Sequence, residues 1–81
     1  PLILIADDHP LLRSAVAHAL QSTFPSAEVL EVASVPALIH ALEVSADVDL
    51  IMLDLTMPGA HGFSALLHVR NEYPEIPVVV I

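Results

Sequence analysis

The sequence contains no cysteine and no lysine, and Arg13 and Arg70 are its only arginines. Without cysteine the chain can form neither a disulfide nor a thiolate zinc site. Its 10 acidic and 2 basic residues give a net charge of −8 over 81 residues. This balance argues against a nucleic-acid-binding surface, because phosphate contacts require clustered Lys or Arg side chains. A hydrophobic fraction of 56% argues against an intrinsically disordered chain.

Long hydrophobic runs and glycine-rich segments are also missing. No apolar run approaches the roughly 18 residues that cross a bilayer, so we expect no membrane partner. The apolar N-terminal segment has no basic leader and is followed by Asp7 and Asp8, which is not typical of a signal peptide. The two glycines, Gly59 and Gly62, stand in one turn and cannot form a glycine-rich phosphate loop. The composition predicts a soluble, cytoplasmic, acidic domain.

The two ends of the chain indicate a fragment. Pro1 stands first without a methionine, and Ile81 ends the chain inside an apolar run that begins at Val78. A natural domain seldom stops inside a buried strand, because termini usually lie in exposed chain. We therefore expect one partial domain over residues 1–81.

Short apolar runs alternate with longer segments of helical period. Most of the runs are continuous, which is typical of strands buried on both faces of a parallel sheet. The predicted strands cover residues 2–6, 28–33, 50–53 and 78–81, and the predicted helices cover residues 10–24, 35–45 and 63–73. The order β-α-β-α-β-α-β predicts a doubly wound parallel α/β sheet with right-handed crossovers.

The spacing of apolar residues predicts the buried face of each helix. Pro10 is the expected first residue of the first helix, and Ser34 is the expected N-cap of the second. The expected inner faces are Leu12, Ala15, Val16, Ala19 and Leu20 for the first helix, Leu38, Ile39 and Leu42 for the second, and Phe63, Leu66, Leu67 and Arg70 for the third.

Acidic residues follow two of the predicted strands. Ligands of doubly wound sheets bind outside the carboxyl ends of the strands, where Asp7 and Asp8 follow the first strand and Asp54 follows the third. If these strands are neighbours, three carboxylates converge on one pocket and raise one another's pKa. Such a pocket is tolerable with Mg²⁺ among the carboxylates, because this hard cation prefers oxygen ligands.

A carboxylate beside Mg²⁺ can attack phosphorus and form an acyl phosphate. Asp54 is the best placed nucleophile, since Pro58 and Gly59 hold the following turn open around an incoming phosphoryl group. A purely structural explanation also stays open, in which Asp8 caps the first helix and Asp54 begins a turn.

The remaining charged residues carry weaker signals. The five histidines, His9 among them, form no zinc motif and are interpreted as surface or boundary residues. Arg13 and Arg70 are interpreted as solvated helix residues.

Two motifs resemble a known family. Residues 5–13, Ile-Ala-Asp-Asp-His-Pro-Leu-Leu-Arg, resemble the opening of bacterial response-regulator receiver domains. Residues 53–59, Leu-Asp-Leu-Thr-Met-Pro-Gly, with Gly62, resemble the loop that carries their phospho-accepting aspartate. The Asp-Asp-His-Pro motif, together with Met-Pro-Gly, resembles the motifs of receivers attached to LuxR-type helix-turn-helix domains. The resemblance covers the chain from Leu2 to Ile81.

The resemblance implies a role for each acidic residue. Asp54 would be the phospho-acceptor, and Asp8 would bind Mg²⁺ directly. Asp7 would bind the cation through water or orient the site, and the Thr56 backbone carbonyl would complete the metal shell. A sensor histidine kinase would donate the phosphoryl group, so the chain would be a signalling domain rather than an enzyme. Its DNA-binding output would lie outside this chain, and its fold would be flavodoxin-like with strand order 2-1-3-4-5.

The chain also departs from the family. A full receiver has about 120 residues, so we expect the last helix-strand-helix to be missing, with the Ser or Thr and the Lys that normally contact the phosphoryl group. His61 replaces a residue that is often acidic or an amide. The uncovered first helix and the unpaired edge of the fourth strand predict a homodimer or a larger assembly.

Two other functions stay open. The chain could be a receiver-like dimerisation module that is never phosphorylated. It could also be a metal-dependent phosphotransfer enzyme or phosphatase of the same fold class.

Overall fold

The computed structural model describes residues 1–45, 47–58 and 63–81. Strands and helices alternate along the chain, and each predicted element is confirmed to within two residues at either end. The strands are β1 (Leu2–Ala6), β2 (Glu28–Val32), β3 (Val48–Leu53) and β4 (Val78–Val80), and the helices are α1 (Pro10–Thr23), α2 (Val35–Val44) and α3 (Ser64–Glu72).

The strands form one parallel sheet in the order β2-β1-β3-β4. This order confirms the predicted doubly wound α/β fold. At the carboxyl end of β1, Ala6 pairs with Val32 of β2 and with Leu53 of β3. The residues that follow Ala6 and Leu53 therefore lie side by side at this edge of the sheet.

Both faces of β1 are buried, which explains its unbroken apolar sequence. Leu4 and Ala6 belong to the larger core, and Ile3 and Ile5 belong to the smaller one. The helix residues of the larger core are Leu38, Ala41 and Leu42 of α2 with Ala65 and Val69 of α3, and the helix residue buried in the smaller core is Ala17 of α1. Helices thus cover the two faces of the sheet.

The helix starts follow the sequence signals. Ser34 is confirmed as the N-cap of α2, because its hydroxyl accepts a hydrogen bond of 3.2 Å from the Ala37 amide. Pro10 begins α1 as predicted, and His9 occupies the N-cap without a capping side-chain hydrogen bond. Among the described residues, no helix combines the length and the apolar character that crossing a membrane requires.

The predicted inner face of α1 is wrong in part. Ala17 is buried, and Val16 and Leu20 are half-buried against the smaller core. With Arg13, which is also half-buried, these residues form a stripe at helical spacings of three and four. A hydrophobic pattern does not detect this stripe, because one of its members is charged and another is a small alanine. The residues expected on the inner face but found exposed are Leu12, Ala15 and Ala19.

The predicted inner face of α3 is also wrong in part. Ala65 and Val69 are buried one turn apart, and of the four predicted residues Leu66 packs against the core. Phe63 and Leu67 are 62% and 66% exposed. Small and β-branched side chains let the helix lie close to the sheet, so the larger residues beside them point outward. The remaining predicted residue, Arg70, is exposed.

Candidate functional site

The carboxyl ends of β1 and β3 bring three aspartates together. Asp7 and Asp8 follow β1 and Asp54 follows β3, where the Asp54 amide donates a hydrogen bond of 2.9 Å to the Ala6 carbonyl. One ligand atom from each of Asp7, Asp8, His9 and Asp54 lies within 4.8 Å of the others. The predicted convergence of the three carboxylates is therefore confirmed.

Two of the three carboxylates are buried. Asp7 and Asp54 are 1% and 6% exposed, and Asp8 is half-buried. Burying a carboxylate is costly unless hydrogen bonds or a cation compensate for the lost hydration. Among the described side-chain atoms, Asp8 Oδ1 and Asp54 Oδ2 are buried without a hydrogen-bond partner. As far as the described residues show, these two oxygens can accept a ligand.

Thr56 engages one oxygen of Asp54. Its backbone amide and its hydroxyl donate hydrogen bonds of 2.9 and 2.7 Å to Asp54 Oδ1. Burial raises the pKa of Asp54, but the hydrogen bonds from Thr56 stabilise the carboxylate, and the pKa lies below its ordinary value. The expected rise of the pKa from like charges is therefore wrong for Asp54.

The structure supports the turn explanation of Asp54 but not the capping explanation of Asp8. Asp54 does begin a turn, because its side chain accepts the amide two residues on, yet this bond leaves Oδ2 unused. The capping explanation of Asp8 is wrong. The N-cap of α1 is His9 rather than Asp8.

His9 is the site residue that the sequence reasoning missed. Its Nδ1 lies 2.6 Å from Asp7 Oδ1, 3.2 Å from Asp8 Oδ1 and 3.5 Å from Asp54 Oδ2. The hydrogen bond to Asp7, with the charges of Asp8 and Asp7, raises the pKa of His9 above its ordinary value of 6.5. The ring is exposed, as a boundary residue should be, but it also faces all three carboxylates. Its sequence position two residues after Asp7 was the available signal, since a side chain there can fold back onto the aspartate.

Arg13 also differs from its predicted role. Its Nη1 donates a hydrogen bond of 2.8 Å to the Asp7 carbonyl, and its Nε donates one of 3.0 Å to Glu31 Oε1. With 19% of its side chain exposed, Arg13 is not a solvated helix residue. It joins the carboxyl end of β1 to β2.

Comparison with known proteins places this fold and this acidic cluster in one family. Residues 3–81 match the response regulator receiver domain. The chain belongs to this family. Receiver domains are signalling domains, and the parallel sheet with aspartates at its carboxyl edge agrees with that membership.

Curated relatives of this receiver domain are longer proteins. Over 79 residues the chain is 48% identical to the glycerol metabolism activator of Pseudomonas putida. This aligned region covers 98% of this chain and 36% of that protein. Over 70 residues it is 43% identical to the nitrate/nitrite response regulator protein NarL of Escherichia coli K12. This aligned region covers 86% of this chain and 32% of NarL. The chain thus spans about a third of the length of these relatives.

Solved response regulators share the fold of this receiver. A LuxR family DNA-binding response regulator from Silicibacter pomeroyi superimposes with a TM-score of 0.84 at 29% identity, over 99% of this chain and 62% of that one. RcsB from Salmonella enterica serovar Typhimurium, bound to promoter rprA with the phosphomimetic BeF₃⁻, superimposes with a TM-score of 0.87 at 25% identity, over 98% of this chain and 40% of that one.

The donor set of this receiver fits a hard divalent cation. Its carboxylate oxygens are the ligand type that Mg²⁺ prefers, and within the described residues Asp8 Oδ1 and Asp54 Oδ2 have no hydrogen-bond partner. The amide and hydroxyl of Thr56 contact Asp54, while the role of its carbonyl as a metal ligand stays a prediction. The expectations on Gly59, His61 and Gly62 concern residues outside the described part of the chain.

Proposed function

We propose that the chain is a phospho-accepting receiver domain over residues 1–81, in which Asp54 takes a phosphoryl group from a sensor histidine kinase. The observation that carries this proposal is the convergence of Asp7, Asp8 and Asp54 at the carboxyl edge of the sheet, with ligand atoms within 4.8 Å of one another. Carboxylates this close repel, and a bound cation removes that repulsion.

Asp54 is the nucleophile in this proposal, and Thr56 decides which of its oxygens reacts. Both Thr56 donors engage Oδ1, so Oδ2 keeps its lone pairs. The lowered pKa keeps the carboxylate ionised at neutral pH. The Oδ2–P bond forms as the P–N bond to the kinase histidine breaks, and the bonding pair of electrons stays on that imidazole nitrogen.

Asp7, Asp8, Asp54 and the Thr56 backbone carbonyl would hold Mg²⁺. When bound, this cation neutralises charge on the transferred phosphoryl oxygens. Asp8 Oδ1, which is buried without a hydrogen-bond partner among the described residues, supports this assignment. The Nδ1 of His9 lies 3.2 Å from Asp8 Oδ1 and 3.5 Å from Asp54 Oδ2. When the cation is absent, a protonated His9 balances part of the charge of these carboxylates.

The output of the proposed switch is transcription, through DNA-binding residues outside this chain. Support comes from the relatives, since NarL is named as a response regulator and the RcsB structure is described as bound to a promoter with a phosphomimetic. Only two arginines and no lysine stand in this chain against ten acidic residues. A cytoplasmic location, where a kinase and DNA are both accessible, belongs to the same proposal.

Binding of a phosphoryl mimic tests the proposal. The full-length protein is labelled with ¹⁵N and titrated with Mg²⁺ and then with beryllofluoride, while amide resonances are followed by NMR. We expect Mg²⁺ to shift the amides of Asp8 and Thr56, and beryllofluoride to shift them further in a step that Asp54→Asn abolishes. Unchanged spectra at saturating concentrations of both would contradict the proposal.

An unphosphorylated interaction module is the second candidate. Large apolar side chains are exposed in the described structure, including Leu11 at 88%, Phe63 at 62% and Leu67 at 66%. Surfaces of this kind favour association. If Asp54→Asn leaves regulation intact in the full-length protein, the interaction module is the correct function. Turnover of many equivalents of acetyl phosphate would instead indicate a phosphatase.

A further inference from the structure

Arg13 contacts the backbone of the acidic site, at the Asp7 carbonyl. It belongs to the stripe of α1 that faces the sheet, and 19% of its side chain is exposed. Two nitrogens of its guanidinium donate hydrogen bonds. Nη1 donates one of 2.8 Å to the Asp7 carbonyl, and Nε donates one of 3.0 Å to Glu31 Oε1. The guanidinium therefore bridges the carboxyl end of β1 and the neighbouring strand β2.

The main chain of Asp7 is held on both sides by this arrangement. Its amide donates a hydrogen bond of 3.1 Å to the Val32 carbonyl of β2, and its carbonyl accepts from Arg13. Because Glu31 precedes Val32, two consecutive residues of β2 hold Asp7, one directly and the other through Arg13. Because the backbone sets the direction of the Cα–Cβ bond, these contacts restrict where the buried Asp7 carboxylate can point.

We propose that Arg13 is a positioning residue, clamped by Glu31, which aims the Asp7 carboxylate at the cation site. The inference rests on the proposed function, because it assumes that Asp7 serves a bound Mg²⁺. Arg13 donates to the Asp7 backbone and uses neither of its carboxylate oxygens. Metal sites depend on such outer contacts, whose removal weakens metal binding by about 10- to 100-fold.

The chemistry of the clamp requires arginine. The guanidinium is planar and stays charged, and its N–H groups point in fixed directions toward two separate acceptors. A lysine ammonium is a single donor centre and does not hold the carbonyl of Asp7 and the carboxylate of Glu31 in the same geometry. Arg13→Lys should therefore restore only part of the function that Arg13→Gln removes.

Mg²⁺ binding to variants of the full-length protein tests this role. Isothermal titration calorimetry gives the Mg²⁺ dissociation constant of wild type, Arg13→Gln, Arg13→Lys and the matched control Arg70→Gln, whose side chain is exposed on α3. We expect Arg13→Gln to weaken Mg²⁺ binding by about tenfold, Arg13→Lys to weaken it less, and Arg70→Gln to leave it unchanged.

Two NMR readouts in the metal-free protein separate positioning from general destabilisation. Loss of the Arg13 hydrogen bond should shift the carbonyl ¹³C resonance of Asp7. The His9 amide donates a hydrogen bond of 2.9 Å to Asp7 Oδ1. Its hydrogen exchange should therefore become faster, and by a larger factor than the exchange of core amides such as that of Ile51. A uniform increase over all amides would overturn the positioning role.

A double-mutant cycle tests the clamp itself. If Glu31 acts through Arg13, Glu31→Ala weakens Mg²⁺ binding on its own but adds nothing to Arg13→Gln. Equal Mg²⁺ affinity of wild type and Arg13→Gln, with folded spectra for both, would overturn the inference and leave the proposed function standing. Failure of the wild type to bind Mg²⁺ would overturn the proposed function, and the role of Arg13 at a cation site would fall with it.

Discussion

The imidazole Nδ1 of His9 lies 2.6 Å from Oδ1 of Asp7. The same nitrogen lies within 3.5 Å of Asp8 and Asp54, so one side chain faces every carboxylate of the site. In the metal-free protein a protonated His9 offsets the repulsion among these acids, and this explains the direction in which its pKa is displaced.

Stability of the metal-free protein should depend on pH through His9. Its pKa in the folded protein is raised above 6.5, so its contribution is complete below pH 6.5 and is lost as the pH rises through the raised pKa. Urea unfolding in a chelator should give a free energy of unfolding that falls across this window. His9→Gln should flatten the slope, while the exposed His18→Gln should keep it. Equal slopes in wild type and His9→Gln would contradict the role of His9.

The hydroxyl of Thr56 should hold the pKa of Asp54 down. Thr56→Val keeps the backbone amide but removes the hydroxyl, which donates a hydrogen bond of 2.7 Å to Asp54 Oδ1. The pKa of Asp54 should therefore rise. Thr56→Ser keeps the hydroxyl and should leave the pKa low. The side-chain carboxyl ¹³C resonance of Asp54, followed through an acid titration, measures this difference. In wild type the contribution of Asp54 to stability is present above pH 3.8 and is lost as the pH falls through the lowered pKa. In Thr56→Val that loss should begin at a higher pH.

The fold and the meeting of the aspartates could be predicted because topology determines both. Alternating strands and helices with right-handed crossovers leave few arrangements. Once β1 and β3 are neighbours, residues that follow Ala6 and Leu53 must meet. Periodicity and chain order predicted the alternating fold, and the resemblance to receiver domains supplied the strand order that makes β1 and β3 neighbours.

The electrostatics of the site could not be predicted, because they depend on where individual donors point. Like charge alone predicted a raised pKa for the carboxyl groups, whereas the two donors of Thr56 on Oδ1 lower the pKa of Asp54. Spacing along the sequence does not reveal this contact.

The rotation of two helices was missed for a related reason. Ala17 and Ala65 are small enough to pack closely against the sheet, and a pattern of large apolar residues does not give weight to them. Arg13 was missed with Ala17, since a charged residue on an inner stripe appears solvated until its acceptors, the Asp7 carbonyl and Glu31, are known.

Mg²⁺ should stabilise the folded protein through Asp8. A ligand that binds only the folded state adds about 1.4 kcal/mol at ten times its dissociation constant. In the described part of the chain Asp8 Oδ1 has no hydrogen-bond partner, so Asp8→Asn removes a charged ligand without breaking a hydrogen bond seen at that atom. Thermal unfolding with and without Mg²⁺ should show the stabilisation in wild type and its loss in Asp8→Asn. A control with Asp47→Asn, exposed before β3, should behave as wild type. Equal stabilisation of Asp8→Asn would remove Asp8 from the metal site.

The edge of β4 should mediate self-association. Val79 and Val80 are 45% and 47% exposed on this edge strand, and a charge on an edge strand opposes pairing with a second copy. Light scattering of the 81-residue chain at micromolar concentration should give a dimer or a larger species, which Val79→Lys shifts toward monomer. Val44→Lys, at the exposed end of α2, is the matched control. A monodisperse wild-type monomer would contradict association by this edge.

The central claim is that Asp54 accepts a phosphoryl group with the help of the neighbouring aspartates. Its most direct test is the intact mass of the full-length protein after incubation with acetyl phosphate and Mg²⁺, for wild type, Asp54→Asn and Asp47→Asn. We predict that wild type and Asp47→Asn each gain one phosphoryl group, that a chelator prevents the gain, and that Asp54→Asn gains none. Phosphorylation of Asp54→Asn to the wild-type extent, or the absence of any gain in wild type, would contradict the account.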